Sequence, residues 1–358
     1  MAELNIHESQ GLDDEGRLVR YSYIGIDEGL VYIMPFVENN LIKQDLQVTK
    51  EGKIAAEDVE AYMKSSDADL LIVAADKQSV LALRTEAHLL MPFRIHQIVH
   101  TSREYEKTRR AMSQRELKRY DKMRQQEGFD YFVTYEDADF DHFYDTMHKP
   151  TMNSRYGEFA RSVEKQTAYE TLFKKGLLFL VTQNGEPVSG SVSQFDKTKN
   201  WLNARLIGVR NGDDLYRTNG AQNFVYHAII HWASNVGMID VVDFQGCEPF
   251  LTKGTLQYKK RFATEAILPP NHFHDKRLLV QANLRSPSVR QFLIDNPMLV
   301  IDEADNIGAG YPFDQQSKPR LELPYQCPGI DYHVLIDLDE WAARAGMEHT
   351  SANGATTY

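Results

Sequence analysis

Two groups of charged and aromatic residues in the second half of the chain are the strongest candidates for chemistry. One is the segment that contains Tyr258, Lys259, Lys260 and Phe262; the other is Asp243, at the end of the apolar stretch MIDVVDF. The segment concentrates three cations beside two aromatic residues. A carboxylate at the carboxyl end of a strand can accept a proton. The alternatives are a solvated helix face for the lysines and a loop-capping role for Asp243.

The start of a predicted helix is a further candidate. Apolar residues recur at spacings of three and four from Ala221 to Val236, which predicts a helix packed on a sheet. The candidate residues at its start are Arg217, Thr218, Asn219, Gly220 and Ala221. Either Thr218 or Asn219 could cap the helix. Exposed N–H groups and the helix dipole attract a phosphate at such an end, and Gly220 would let the backbone pass close to it. An ordinary capped helix after a loop is the alternative.

Two other stretches suggest contacts with substrates or partners. The stretch Lys107–Arg124 carries eight basic residues. It predicts either a solvated linker helix or a docking surface for an acidic carrier protein or the backbone of a tRNA. Arg155 and Tyr156, in a segment predicted as a loop, are candidates for contact with an acceptor substrate, and Arg155 is suited to a carboxylate. No metal site is inferred from the His and Cys spacings.

The elements that must position these residues belong to an α/β protein. Strands and helices alternate from about Arg17, and a second α/β unit begins at FDYFVTYED. In that unit, LLFLVTQ and VSGSVSQF flank the turn signal Asn184-Gly185, and with WLNARLIGV they predict an antiparallel meander. We expect an N-terminal lobe over residues 1–103, a C-terminal lobe over residues 104–268, and an extension over residues 269–358 that ends in a disordered tail.

Composition excludes several classes of protein. The 358 residues exceed one ordinary domain, and the net charge of −11 argues against bulk attraction to DNA. Two cysteines permit no disulfide framework. We see neither a signal-peptide pattern nor an apolar run near the roughly 20 residues that a bilayer requires, so we expect a cytoplasmic protein.

The order of these features resembles the GNAT acyltransferase superfamily. Within it, the chain is similar to the two-lobed Fem-type aminoacyl transferases and to related acyltransferases of cellulose and exopolysaccharide clusters. Residues 104–265 carry the resemblance, and the first hundred residues match only in their alternation of strands and helices. Arg217 and Gly220 match the phosphate loop of the superfamily. The Fem-like ending, aromatic-Lys-Lys-x-aromatic, is matched by Tyr258, Lys259, Lys260 and Phe262. This match implies that Lys259 or Lys260 contacts an anionic substrate or stabilises charge that develops during the reaction.

The resemblance implies two GNAT-like lobes, with mixed and mostly antiparallel sheets flanked by helices. It implies transfer of an acyl group from a thioester to an amine of a small molecule or envelope precursor. The co-substrate would be acyl-CoA or acyl carrier protein, without a permanently bound cofactor. Strand WLNARLIGV would offer backbone N–H groups to the pantetheine arm, and Tyr258 would contact substrate. Two alternatives stay open: a Fem-type transferase that uses aminoacyl-tRNA, and a non-catalytic binding protein, which Gln222 in the phosphate loop favours.

Overall fold

A computed structural model describes residues 3–156 and 163–346 of the chain. Its strands are β1 (Glu3–Leu12), β2 (Leu18–Gly25), β3 (Gln44–Ala55), β4 (Leu70–Asp76), β5 (Leu89–Pro92), β6 (Ile95–His100), β7 (Phe129–Thr134), β8 (Gly176–Gln183), β9 (Glu186–Asp196), β10 (Trp201–Val209), β11 (Val241–Cys247), β12 (Glu265–Ile267), β13 (Lys276–Ala282), β14 (Met298–Ile301), β15 (Ile307–Phe313) and β16 (Tyr332–Asp337). Its helices are α1 (Gly29–Tyr32), α2 (Met34–Leu41), α3 (Val59–Ser65), α4 (Lys77–Leu83), α5 (Tyr105–Arg110), α6 (Gln114–Gln126), α7 (Asp137–Phe143), α8 (Lys149–Tyr156), α9 (Lys165–Thr171), α10 (Asp214–Thr218), α11 (Ala221–Val236), α12 (Gly254–Lys259), α13 (Pro287–Asp295) and α14 (Leu338–Arg344). A π-helical turn, Tyr144–His148, joins α7 to α8. The predicted tail falls within residues 347–358, outside the described residues.

The described chain divides into two units. Unit 1 contains residues 3–95, 247–257 and 268–346, and unit 2 contains residues 96–246 and 258–267. Each unit is built on its own main sheet.

Unit 1 contains a six-stranded sheet in the order β3-β1-β2-β4-β13-β5 and a three-stranded sheet in the order β14-β15-β16. Strand β13, from the stretch expected to be an extension, pairs with both β4 and β5. Its Leu278 and Val280 are buried in one core with Ile72 and Phe292. Alternate apolar residues of this stretch complete the sheet, so part of it is integral to unit 1.

Unit 2 contains a seven-stranded sheet in the order β12-β6-β11-β10-β9-β8-β7. Strands β8, β9 and β10 form the predicted antiparallel meander. Asn184 and Gly185 have φ values of 54° and 88°, as a two-residue hairpin turn of the primed type requires. The prediction of a mixed α/β fold with mostly antiparallel sheets flanked by helices is confirmed.

Helix α11 lies on one face of this sheet and has the predicted limits. Its Phe224 and Ala228 are fully buried in a cluster with Phe179, Leu202 and Val242 of the sheet. Helix α6 contributes Leu117, Tyr120 and Met123 to the same cluster. The basic stretch is therefore a packed part of unit 2, and its interpretation as a solvated linker helix is wrong, because α6 is amphipathic and buries one face. Its basic side chains Arg115, Lys118, Lys122 and Arg124 are exposed.

Candidate active site

Strands β10 and β11 part at the position of Asp243. The two strands run parallel and pair over three residues each, Trp201–Asn203 with Val241–Asp243. Strand β10 continues to Val209, and its register with β9 shifts between Ala204 and Leu206. Within the described residues, no further pairing joins β10 to β11 beyond Asp243. In open α/β sheets, ligands bind near the carboxyl ends of strands that diverge in this way.

Asp243 is paired with a histidine from another strand. The Nδ1 of His96, on β6, lies 2.8 Å from Oδ2 of Asp243, and both side chains are buried. The other carboxylate oxygen accepts a hydrogen bond of 2.6 Å from the N–H of Gln245. Asp243 thus caps the turn after β11 and also orients an imidazole. An imidazole held at Nδ1 by a carboxylate presents Nε2 as a proton acceptor.

The turn that follows Asp243 is held by Lys259. Gln245 has a φ of 66°, in the left-handed region that costs free energy for a residue other than glycine. The ammonium of Lys259 donates to the carbonyl oxygens of Gln245, at 2.9 Å, and Gly246, at 3.4 Å. Lys259 is only 3% exposed. Its solvated-face interpretation is therefore wrong, and its observed contacts are those of a positioning residue. Lys260, also predicted to meet substrate, is half-buried at the start of the 3₁₀ turn Lys260–Phe262.

Tyr258 belongs to a buried polar network between helices. Its hydroxyl donates to Oδ1 of Asn223 at 2.8 Å, and burial raises the pKa of Tyr258 well above its ordinary value. The amide of Asn223 donates to the carboxylate of Glu116, and Nε2 of His227 lies 3.0 Å from the same carboxylate. Burial alone would raise the pKa of Glu116, but its hydrogen bonds with His227 and Asn223 outweigh burial and lower it. These contacts place the Tyr258 hydroxyl among buried polar side chains of unit 2.

The start of α11 is lined by the protein's own side chains. Oδ1 of Asn219 accepts a hydrogen bond from the N–H of Ala221 at 3.0 Å, so Asn219, one of the two predicted caps, satisfies that group. Gly220 has a φ of 103°, and a Cβ there would lie 2.9 Å from Nη2 of Arg119 and from Cε of Met123. Ala221 is fully buried. A phosphate at this end would have to displace these groups.

The other two predicted phosphate-binding residues contact α10 itself. The hydroxyl of Thr218 donates to the carbonyl oxygens of Asp214 and Leu215, at 3.0 and 3.1 Å. The guanidinium of Arg217 forms an ion pair with the carboxylate of Asp214. Both side chains therefore support the short helix α10.

The predicted acceptor residues lie on a helix instead of a loop. Helix α8 runs to Tyr156, and Arg155 is exposed on its last turn; the side chain of Tyr156 lies outside the described residues. Thr151 anchors this helix on β10, because its hydroxyl accepts from the N–H of Val209 at 2.9 Å and also contacts the carbonyl oxygen of Val209 at 3.2 Å. This anchor occupies the β10 edge at Val209. The N–H of Val209 is therefore already satisfied and is not one of the backbone donors on β10 that could bind a pantetheine arm.

His96 is not among the residues predicted from the sequence. The one available signal is that His96 and Gln97 interrupt an otherwise apolar strand, Ile95–Val99, and are both buried. Polar residues that are buried in this way need partners, which makes them candidates for a site.

The described residues contain neither a candidate membrane-spanning helix nor a cluster of metal ligands. Among the helices within residues 3–156 and 163–346, none is sufficiently long and apolar to cross a bilayer. Over the same residues, no three His, Cys, Asp or Glu side chains are grouped so that they could hold a metal ion.

Comparison with known proteins yields likenesses to solved structures alone. No protein-family model matches the chain, and no curated protein matches it. FemX has 10% identity over 76% of this chain and 87% of its own, with a TM-score of 0.40. L-PGS from Bacillus licheniformis has 10% identity over 80% of this chain and 87% of its own, with a TM-score of 0.35. A GCN5-related N-acetyltransferase from Sphaerobacter thermophilus has 12% identity over 75% of this chain and 78% of its own, with a TM-score of 0.34.

Proposed function

We propose that the chain transfers an acyl group from a thioester to an amine, with His96 as the proton acceptor and Asp243 as the residue that positions it. The observation that carries the proposal is the buried His96–Asp243 pair at the point where β10 and β11 part. Buried titratable pairs of this kind are common at catalytic sites because they hold a base in one tautomer and orientation.

The reaction needs a base but no covalent intermediate. The amine nitrogen attacks the thioester carbonyl carbon, the carbon–sulfur bond breaks, and the sulfur leaves as thiolate. Nε2 of His96 accepts the proton that the nitrogen loses, and the imidazolium then gives this proton to the thiolate, which yields the free thiol and restores the neutral base. Asp243 holds the hydrogen on Nδ1 and stabilises the imidazolium that forms, since the carboxylate lies 2.8 Å from that nitrogen.

Strand β10 would hold the thioester donor. Residues 204–206 follow the last pair with β11 and include the shift in register with β9. Backbone N–H groups in such a stretch can bind the amides of a pantetheine arm and polarise the thioester carbonyl. Acyl-CoA and acyl carrier protein share this arm, so both are candidate donors, and a small-molecule amine is the candidate acceptor.

The proposal is tested by the release of free thiol from a panel of acyl-CoA and acyl carrier protein donors in the presence of mixed primary amines. Wild type should release thiol, and His96→Gln should be slower by about 10²-fold or more, the usual contribution of a general base. His100→Gln is the matched control, because His100 lies four residues further along the same strand but is exposed and contacts Glu265. It should react like wild type.

Three outcomes would overturn all or part of this proposal. Product formed only from aminoacyl-tRNA and abolished by RNase would replace the thioester donor by the ester donor of a Fem-type transferase. If the protein turned over no donor and bound none, it would be a binding protein without this activity. Equal rates in wild type and His96→Gln would remove His96 from the mechanism.

A further inference from the structure

His148 is a second buried histidine of unit 2, at the end of the π-helical turn. It is 3% exposed, and its Nδ1 lies 3.0 Å from the carbonyl oxygen of Ile207 on β10. Its other ring nitrogen, Nε2, is buried and has no hydrogen-bond partner among the residues that the structure describes. The proposed reaction does not use this histidine.

The contact with Ile207 determines what Nε2 can bind. A carbonyl oxygen only accepts hydrogen bonds, so Nδ1 of His148 must carry the hydrogen. Burial lowers the pKa of His148, which keeps the ring neutral near pH 7. Nε2 is therefore an acceptor that lacks a donor. Leaving such a group unpaired costs free energy, which a hydrogen bond from a ligand N–H or O–H would recover.

The backbone around His148 is arranged to bring it onto the sheet. Gly208 of β10 is paired with Gly190 of β9, and a Cβ on Gly208 would lie 2.5 Å from the backbone nitrogen of His148. A Cβ on Gly190 would lie 3.0 Å from the ring of Phe143. The π-helical turn that carries His148 is a rare conformation that often accompanies functional sites. Strand β10 thus holds His148 at residues 207–208, directly after the stretch 204–206 proposed for the donor.

We propose that Nε2 of His148 contacts the amine substrate in unit 2. It receives a hydrogen bond from the N–H of a primary amine, which is the acceptor of the acyl group. This inference rests on the proposed function and names a residue for its acceptor side. A hydrogen bond donated by the amine to Nε2 leaves the lone pair of the amine nitrogen available for attack on a carbonyl carbon. His148 is then a substrate contact, and His96 remains the base.

Two substitutions test the roles of the two ring nitrogens of His148 independently. His148→Asn places an amide near Nδ1, so it can keep the hydrogen bond to Ile207 but lacks the group at Nε2. His148→Gln places its amide near Nε2 and loses the bond to Ile207. We expect His148→Asn to raise the KM for the amine about tenfold, the effect of one lost hydrogen bond, with the KM for the thioester unchanged. His148→Gln should stay nearer to wild type in the KM for the amine. An unchanged KM for the amine in His148→Asn would overturn the proposal.

A second measurement does not depend on turnover or on the folding of a variant. Wild-type protein with ¹⁵N-labelled histidine is titrated with benzylamine and ethanolamine, and the Nε2 resonance of His148 is assigned by its loss in His148→Asn. A free acceptor nitrogen should move upfield as the amine binds. No movement with either amine, or a position already typical of a hydrogen-bonded nitrogen before addition, as an internal water would cause, overturns the proposal. Movement without any thiol release would refute the transfer reaction and keep the amine site.

Discussion

His96 and Asp243 are 147 residues apart in the chain, yet Nδ1 of one lies 2.8 Å from Oδ2 of the other. Both are buried, on β6 and β11 of one sheet. A buried carboxylate is stable only with such a partner, and the partner in turn is held in one orientation. The pair therefore determines which nitrogen of His96 can act on a substrate.

Asp243→Asn should show whether Asp243 orients His96 for catalysis or only stabilises the fold. An amide in place of the carboxylate can still contact His96, but it no longer stabilises an imidazolium or selects the Nδ1–H tautomer. We expect thiol release to fall by about 10²-fold or more while the thermal midpoint changes little. Asp240→Asn is the control, because Asp240 is an exposed carboxylate just before β11. Full activity in Asp243→Asn would show that His96 works without this carboxylate.

Lys259→Met tests the positioning role of the buried ammonium. Two backbone carbonyls lose their donor in this variant, so the free energy of unfolding should fall by about 1–3 kcal/mol in a urea titration. Lys118→Met, on the exposed face of α6, should unfold like wild type. The role predicted from the sequence, contact with an anionic substrate, would instead reduce activity and leave the stability of Lys259→Met unchanged.

Gly220→Ala distinguishes packing from phosphate binding at the start of α11. The φ of 103° is strained for alanine, and the new Cβ would press on Arg119 and Met123. We expect a loss of about 1–3 kcal/mol in the free energy of unfolding. Gly254→Ala should be neutral, since among the described residues nothing beyond its own helix backbone and chain neighbours lies within 4 Å of its Cβ position. A variant of Gly220 that is fully stable but binds acyl-CoA poorly would restore the phosphate-loop interpretation.

His7 should make the stability of unit 1 depend on pH. Its Nε2 and Nδ1 each lie 3.2 Å from a carboxylate, of Glu38 and Glu51 respectively. The hydrogen bond with Glu38 raises the pKa of His7 despite its burial. Because the folded pKa lies above the unfolded value, this stabilisation is fully present below the unfolded pKa and is lost as the pH rises through the folded pKa.

His7→Gln should therefore reduce the free energy of unfolding most at acidic pH. We expect it to reduce the free energy of unfolding by about 1–2 kcal/mol near pH 5.5, with a smaller difference from wild type near pH 9. Chemical unfolding at several pH values measures this difference. His272→Gln, at an exposed histidine beside Glu28, is the control and should show little change at either pH. A difference that grows with pH would contradict the assigned direction.

The elements of unit 2 follow largely from local sequence patterns. The apolar spacing from Ala221 to Val236 predicts α11 with the limits that it has, and Asn184-Gly185 predicts the turn between β8 and β9. These predictions succeed because helix periodicity and turn geometry depend on residues a few positions apart. The loop predicted around Arg155 fails, because α8 is stabilised by the contact of Thr151 with β10, far away in the chain.

The sequence by itself therefore determined helix α11, the hairpin and the mixed α/β class, along with Asp243 as a candidate. Tertiary structure alone decided that Asp243 meets His96, that Lys259 binds the turn at Gln245, and that Arg119 lies against Gly220. The physical reason is that these contacts depend on the order in which strands join a sheet and on the packing of helices upon it. Hydrophobic periodicity indicates which face of a segment is buried, but it does not specify the residues that this face contacts.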